Sequence, residues 1–366
     1  MIRELHLQNF KCFEDQKFRL RPLTLLTGLN GTGKSSVLQS LLLLRQSYQR
    51  GLLQTYALAL NGDLVSIGTG LDALFEGAKL FEGSEREEIR IEIFAEETEL
   101  TAGWRFDYAK DADTLQVKDG SPPEGHPIYS IDLFTEFFQY LQAERVGPRR
   151  FFDISNIVGY HANMLGSKGE YTASFLATSV RTGLLQSVES WLGLISPGVR
   201  INLTSVRNMD IVGLEYAFAV GNQVTSNNYR STNVGFGITY ALPIIVSALE
   251  SKPGTLLLIE NPEAHLHPRG QAAMGRLLAL AASSGIQVLV ETHSDHVLNG
   301  IRVAVHDGEL KPEDVQIHFF QKREEDGRSE VISPQIDRDG RLDQWPEGFF
   351  DEMDKSLDVL LQPRKE

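Results

Sequence analysis

Apolar and polar residues alternate through Ile2-Arg3-Glu4-Leu5-His6-Leu7-Gln8, and Phe18-Arg19-Leu20 repeats the pattern briefly. Leu23-Thr24-Leu25-Leu26-Thr27 is then almost continuously apolar up to a glycine-rich turn. Period-two alternation marks strands with one buried face, and an unbroken apolar run marks a strand covered on both faces. From Ser36 the spacing changes to Val37, Leu38, Leu41, Leu42 and Leu44 with no Gly or Pro, which predicts a helix. Residues 89–94, 104–108 and 114–117, with turn residues such as Asp119-Gly120 beside them, predict a small antiparallel set flanking this unit. Residues 131–142 and 173–194 read as mostly helical, with an irregular Gly- and Asn-rich stretch between them, and 199–203 and 214–220 read as strands. After Gly237 the chain alternates: helix to Leu249, strand 256–259, helix 271–282, strand 288–291 and a short helix from Asp295. That order predicts parallel strands joined by helical crossovers. Strand-like segments at 315–320 and 330–332 follow, and neither a long heptad run nor an internal repeat is visible.

With 366 residues, 42% hydrophobic and 23% charged, the chain can bury a core large enough for one domain with insertions or two intimate lobes. No stretch approaches the roughly 20 apolar residues of a membrane span, and Glu4 falls where a signal peptide would be basic and then apolar. A cytoplasmic protein without a membrane partner is the expectation. The single cysteine, Cys12, can form no internal disulfide and reads as a packing residue near a strand. A net charge of −14 argues against a surface that wraps nucleic acid over its whole extent, since phosphate neutralisation needs clustered Lys and Arg. A local basic patch for DNA or RNA is still open, with Arg145, Arg149 and Arg150 as the tightest cluster; solvated surface is its plainer reading.

Gly28-Leu29-Asn30-Gly31-Thr32-Gly33-Lys34-Ser35 matches G-x-x-x-x-G-K-[ST] in full, between the buried strand and the helix, which is the context a phosphate loop requires. Its glycines let backbone N–H groups turn inward around a β-phosphate, and the helix N-terminus adds its dipole. Lys34 can reach the β- and γ-phosphates of ATP, and the Ser35 hydroxyl can ligate Mg2+. Asn30, Gly31, Gly33, Lys34, Ser35 and Ser36 are the candidate ATP contacts. The alternative, a glycine turn that only caps a helix, accounts for the glycines but gives the Lys-Ser pair no task.

Leu256-Leu257-Leu258-Ile259-Glu260 is an apolar strand that ends in a carboxylate, as a second magnesium-side motif needs, so Ser35 and Glu260 are the expected metal ligands. In Asn261-Pro262-Glu263-Ala264-His265-Leu266-His267-Pro268 a second acid and two histidines follow within a turn. Glu263, His265, His267, His293 and His296 could alternatively hold zinc or iron, but no helical H-E-x-x-H spacing supports this and the phosphate loop would be idle. His293 closes the next strand, on the same sheet edge as Gly33 and Glu260, where it can contact a γ-phosphate or its attacking water. Gly235 and Gly237 begin a later helix, either as a second anion-receptive N-terminus or as a plain cap.

Together these residues resemble the ABC-type ATPases of the SMC/RecF/OLD group, and more narrowly a family of bacterial ATPases ending in a domain of unknown function, DUF3696. The resemblance covers nearly the whole chain. It rests on Leu5-x-Leu7-x-Asn9-Phe10-Lys11-x-Phe13, residues 140–149, Gly169-Glu170-Tyr171-Thr172, Val234-Gly235-Phe236-Gly237, the run from Glu260 to Pro268, Thr292-His293-Ser294 and residues 345–351. It implies an α/β P-loop NTPase fold, an ABC-type ATPase head with an antiparallel β subdomain and a helical insertion. The implied parts are an N-terminal ATPase lobe at 1–130, a mainly helical insertion at 131–232, the C-terminal ATPase lobe at 233–322 and a DUF3696-like tail at 323–366. By the same resemblance Gly28 to Ser35 is Walker A, Glu260 closes Walker B, His265 to Pro268 lies at the D-loop and His293 is the switch histidine. Gly235 and Gly237 would belong to the signature motif that caps the γ-phosphate held by the opposite subunit, which implies a homodimer.

This sequence departs from the pattern in three places. Asn261 stands where many relatives carry the water-polarising glutamate, so either Glu263 takes that role or hydrolysis is slow. The signature lacks a Ser-Gly-Gly core and has Tyr240 near its expected glutamine, and only Asn61-Gly62-Asp63-Leu64 lies in the region of a Q-loop. The implied function is a Mg2+-dependent ATPase acting as a nucleotide-gated dimer in DNA repair or anti-phage defence, with a separate effector such as a nuclease or other toxin. The alternative is an ATP-binding scaffold or sensor with negligible hydrolysis. A small-metabolite kinase would share the phosphate loop but explain neither Gly235–Gly237 nor His293.

Overall fold

The buried strand before the glycine loop, Leu23–Gly28, lies inside a six-stranded sheet. In the computed structural model, which describes residues 1–95, 100–154, 165–179, 181–220, 223–224 and 226–362, the order is Ser329–Ile332, Val315–Lys322, Leu23–Gly28, Gln287–Glu291, Leu256–Glu260, Phe138–Leu141. Only Ser329–Ile332 runs antiparallel to its neighbour. Successive side chains point to opposite faces, so each strand feeds two cores. Leu25, Leu257, Ile259, Val288 and Val290 enter one core together with the helices Phe236–Glu250, Pro268–Ser283 and Asp295–His306. Leu26, Leu256, Leu258 and Leu289 enter the other, against Lys34–Gln49. Full burial on both faces explains why these strands read as unbroken apolar runs.

A second sheet, Phe13–Arg19, Ile2–Phe10, Glu88–Ala95 and Leu100–Asp107, is antiparallel and carries the expected period-two alternation. The third expected member of that set, 114–117, touches it through an antiparallel bridge from Val117 to Phe106, while its strand Thr114–Gln116 pairs with Ala57–Ala59.

The middle of the chain departs furthest from expectation. Residues 131–142, read as mostly helical, contain a short 3-10 turn, Asp132–Phe134, and then the strand Phe138–Leu141, which pairs with residues 256–259. Four consecutive buried residues fit an edge position under helices as well as a helix turn, and the side-chain period alone cannot separate the two. Buried Arg45 fixes this segment by donating to the carbonyls of Leu133 and Thr135 at 2.8 and 2.6 Å. The supposed insertion is also not mainly helical. Its helices Thr172–Thr178 and Leu184–Ile195 pack on an antiparallel sheet built around Val199–Val206 and Ile211–Val220, to which Phe151–Asp153 and Tyr229–Arg230 also pair. Part of the Gly- and Asn-rich stretch, residues 155–164, lies outside the described residues. The tail contributes sheet strand Ser329–Ile332 and the helix Glu352–Leu360, and its fully buried Phe349 packs edge-on against Phe319. Among the described residues no helix is long and apolar enough to cross a membrane.

Inside this sheet His318 is 3% exposed and neutral. Its Nε2 meets the Arg19 carbonyl at 2.8 Å and must donate, which leaves Nδ1 to accept from the Ser333 hydroxyl, also at 2.8 Å. Burial pulls its pKa from 6.5 down to about 4. A depressed folded pKa means that the stability from keeping this ring neutral is present above pH 6.5 and is lost as pH falls through about 4. Urea unfolding across that window should show wild type losing stability by up to about 1.4 kcal/mol per pH unit more steeply than His318→Gln. Equal slopes would remove His318 as the cause.

Candidate nucleotide site

Two backbone constraints shape the glycine loop. At Gly28, with φ 135°, an added Cβ would lie 2.0 Å from the Phe320 carbonyl oxygen of the neighbouring strand, so only glycine fits where the loop leaves the sheet. Gly33, with φ 109°, starts the helix Lys34–Gln49, and a Cβ there would meet Cys12 Sγ at 2.4 Å. The chain therefore turns tightly enough to aim the helix N-terminus into a cleft of about 910 Å3. Asn30, Gly31, Gly33, Lys34, Ser35 and Ser36 all line it, together with Glu291 and His293. Lys34 Nζ donates to the carbonyls of Gly28 and Leu29, at 3.0 and 2.6 Å, and burial holds its pKa below the usual lysine value. Held by two carbonyls with the Glu291 carboxyl nearby, this ammonium can exchange the carbonyls for phosphate oxygens.

The acid beside Ser35 is not the expected one. Ser35 Oγ donates to Glu291 Oε1 at 2.9 Å. The strand Gln287–Glu291 lies between Leu23–Gly28 and Leu256–Glu260, which sets Glu260 one strand further from the loop. The Glu260 carboxylate accepts instead from the Tyr140 hydroxyl at 2.8 Å and from the Ala143 N–H at 3.0 Å. Burial, reinforced by the charge of Glu260, pushes the Glu291 pKa up to about 7 against the opposing pull of Ser35 and Lys34.

Asn261 has φ 44°, a left-handed conformation that Asn tolerates better than most residues, and its N–H donates to the Glu291 carbonyl at 2.8 Å. Glu263, the candidate for the water-polarising role, is pinned: it accepts from the Thr292 hydroxyl at 2.6 Å and from the His293 N–H at 2.8 Å. It thereby fixes the backbone from which the His293 ring reaches the cleft. Burial and then the Lys34 charge lower the pKa of that ring, while Glu263 and a hydrogen bond at the Gly28 backbone oppose them. A ring favoured in its neutral form can accept a hydrogen bond from water at the phosphate edge.

Gly235 and Gly237 do not join this cleft. Gly235 is exposed and Phe236 is 54% exposed at the start of Phe236–Glu250. A Cβ on Gly237 would come 2.5 Å from the His265 carbonyl oxygen, and the rings of Phe236 and Tyr240 pack on His265 at 5.6 and 4.7 Å. The helix start thus lies directly on the His265–Pro268 segment.

The alternative metal cage is not formed either. Among the described residues no three His, Cys, Asp or Glu side chains gather to hold an ion. Glu263 is engaged as above, His267 accepts from the Arg269 N–H as a helix cap, and His296 faces Asp295 at 3.7 Å. Asn61 closes its own loop by paired bonds with Gly68 and does not line the cleft.

Arg145 leaves the supposed basic patch altogether. It is 2% exposed and donates to the carbonyls of Gln142, Glu260 and Asn261 at 3.1, 2.8 and 2.7 Å, clamping the end of the Leu256–Glu260 strand. Only Arg149 and Arg150 are exposed, with Arg150 stacked on Phe151. Sequence reasoning also missed Lys11, Gln39, Phe75 and Arg328 as cleft residues. Lys11 and Gln39 are joined by a 2.8 Å hydrogen bond, and Arg328 lies over Phe75 while pairing with Glu14. The opening motif around Lys11 was a usable signal; Arg328, far along in the tail, gave none.

Three family models match successive parts of the chain: "AAA ATPase domain" at 1–123, "AAA domain, putative AbiEii toxin, Type IV TA system" at 220–299 and "Protein of unknown function (DUF3696)" at 310–360. Among solved structures, an SMC head bound to the C-terminal winged-helix domain of ScpA is 16% identical with a TM-score of 0.56, over 92% of this chain and 98% of that one. An SMC head with an extended coiled coil, bound to the C-terminal domain of ScpA derived from Pyrococcus furiosus, is 14% identical with a TM-score of 0.54, over 99% of both chains. At such identity these likenesses concern the fold. No curated protein matches the chain. With a complete phosphate loop at the edge of its sheet, the chain has the fold of SMC heads and is similar, over residues 1–123 and 220–299, to AAA ATPase domains.

Proposed function

We propose that the chain is a Mg2+-dependent ATPase working as a nucleotide-gated homodimer, coupled to a separate effector in anti-phage defence or DNA repair. The observation that carries the reading is a separation. The phosphate loop and the Gly235 helix start belong to one chain, yet none of residues 234–237 lines the cleft holding Lys34, Ser35 and His293. Two anion-receptive helix N-termini that cannot serve one nucleotide within a chain can do so across a head-to-tail pair.

In that arrangement Lys34 exchanges the carbonyls of Gly28 and Leu29 for phosphate oxygens. The Gly33–Ser36 amides supply the helix dipole, and Glu263 holds the His293 segment against the γ-phosphate edge. Ser35 Oγ and the buried Glu291 Oε2, which has no hydrogen-bond partner among the described residues, suit a cation, and Mg2+ arriving with ATP would neutralise phosphate charge there. The type IV toxin–antitoxin wording of one matching family supports a defence role, and the ScpA-bound SMC heads support a protein partner. ATP with Mg2+ should double the mass of a hydrolysis-impaired variant in light scattering. A mass that stays monomeric at saturating ATP counts against the dimer.

Asn261 favours a second reading, an ATP-binding scaffold or sensor with negligible hydrolysis; single-turnover measurements separate the two. Nucleic acid, if bound, meets Arg149 and Arg150 without Arg145. Binding should then fall by about tenfold on double charge reversal at low salt. Binding that survives the reversal places the contact elsewhere.

A further inference from the structure

We propose that Arg328, in the tail, is the side chain on which the base of the bound nucleotide stacks, so that the tail closes the nucleoside end of the cleft. The proposal rests on the ATPase reading and adds the end of the site that the phosphate loop does not reach. A cleft of about 910 Å3 is of the size that holds a whole small-molecule ligand rather than phosphates alone. Away from the glycine loop its lining comes from Leu71, Phe75 and the tail turn at residues 326–329.

Sheet order fixes which end is which. The strand Gln287–Glu291, which leads to His293, flanks Leu23–Gly28 on one side, and Val315–Lys322 flanks it on the other, also parallel. The turn that follows Val315–Lys322 therefore rises at the same sheet edge as the phosphate loop, on the side away from His293. With the γ-phosphate edge at His293, sugar and base extend toward that turn. The path is continuous. Cys12 Sγ lies 3.9 Å from Ser36 Oγ at the helix start and also meets the Ser329 side chain, next to Arg328.

What waits there is a flat cation held in place. The Arg328 guanidinium lies over the Phe75 ring, 5.5 Å from its centroid, and pairs with Glu14, which Lys79 also engages. Phe75 is only 6% exposed, whereas the Arg328 side chain is 47% exposed, so the guanidinium keeps an outer surface for a ligand. Nucleobases stack on guanidinium planes as they do on aromatic rings. Glu14 and Asp326 already face the N–H donors of Arg328, which leaves its plane for the face of the base. Every base has such a face, so the contact supplies affinity with little choice among bases. Lysine in its place would keep the ion pair with Glu14 but offer no plane.

The test is calorimetric affinity for ATP and for inorganic tripolyphosphate, each with Mg2+, for wild type, Arg328→Ala and Arg328→Lys, with a thermal melt of each protein. Wild type should bind ATP more tightly than tripolyphosphate. Both variants should weaken ATP by about tenfold and leave tripolyphosphate within about twofold of wild type. Wild-type ATP affinity in Arg328→Lys would reduce the residue to its ion pair with Glu14, and an equal loss for both ligands would place its effect on the phosphates. Either result overturns the proposal, as does ATP affinity unchanged in both variants. Wild type that binds tripolyphosphate as tightly as ATP would remove the nucleoside subsite and spare the phosphate loop. Wild type that binds neither ligand would overturn the ATPase reading itself.

Discussion

Replacing Lys34 by Ala is expected to abolish tight ATP binding, by about a hundredfold or more in affinity, because a charge-assisted contact to two phosphates is lost. The side chain is nearly fully buried and its ammonium is balanced only by the Gly28 and Leu29 carbonyls and the nearby Glu291. Its removal leaves those carbonyls at the mouth of an open cleft where water can reach them, so the loss should fall on nucleotide affinity more than on folding. Calorimetry gives the affinity and a thermal melt the fold. An unchanged affinity would mean that Gly28 to Ser35 is only a helix-capping turn.

Glu263→Gln should keep ATP bound, suppress turnover by about a hundredfold or more and accumulate a closed dimer. The substitution is structurally mild for a definable reason. The carboxylate accepts from two donors, the Thr292 hydroxyl and the His293 N–H. A glutamine can turn its carbonyl to the His293 N–H, and the Thr292 hydroxyl can rotate to accept from the amide. What is lost is the negative charge next to His293, which orients water and stabilises any proton the ring takes up. Asn261→Gly is the companion, since it removes the amide while keeping the left-handed backbone available at φ 44°. If Glu263→Gln turns over like wild type while Asn261→Gly stops hydrolysis, the amide is the water-positioning group. If neither matters and wild-type turnover is itself negligible, the scaffold reading takes the lead.

The phosphate loop was legible because its chemistry is local: glycines for backbone turns, Lys34 and Ser35 for phosphate and cation, a buried strand before and a helix after. The central strands were legible for a similar reason, since burial on both faces leaves unbroken apolar runs at residues 256–259 and 288–290. Strand order is not local, and so the neighbour of Ser35 was not legible. Glu260 follows its apolar strand as the motif suggests, but the sheet inserts Gln287–Glu291 between it and the loop, which gives Ser35 to Glu291. Arg145 was misread for the same kind of reason. Three arginines close in sequence look like one patch until the fold buries one of them under the strand-end carbonyls. Phe138–Leu141 was lost to length, four buried residues being too few to show a period.

The central claim, that one nucleotide is held by two chains, is tested most directly by mixing two defective variants. Lys34→Ala disables the phosphate loop. Gly235→Asp puts a negative charge at the exposed helix start, where an added Cβ meets no atom within 4 Å and the fold is left intact. Each alone should show neither ATP-driven dimerisation nor turnover. In the mixed dimer, one interface joins both damaged elements and the other joins a working loop to a working Gly235 helix, so ATP-dependent pairing and part of the turnover should return on mixing. Failure of the mixture to recover either, with both variants folded and wild type active in the same assay, would contradict a site shared between two copies.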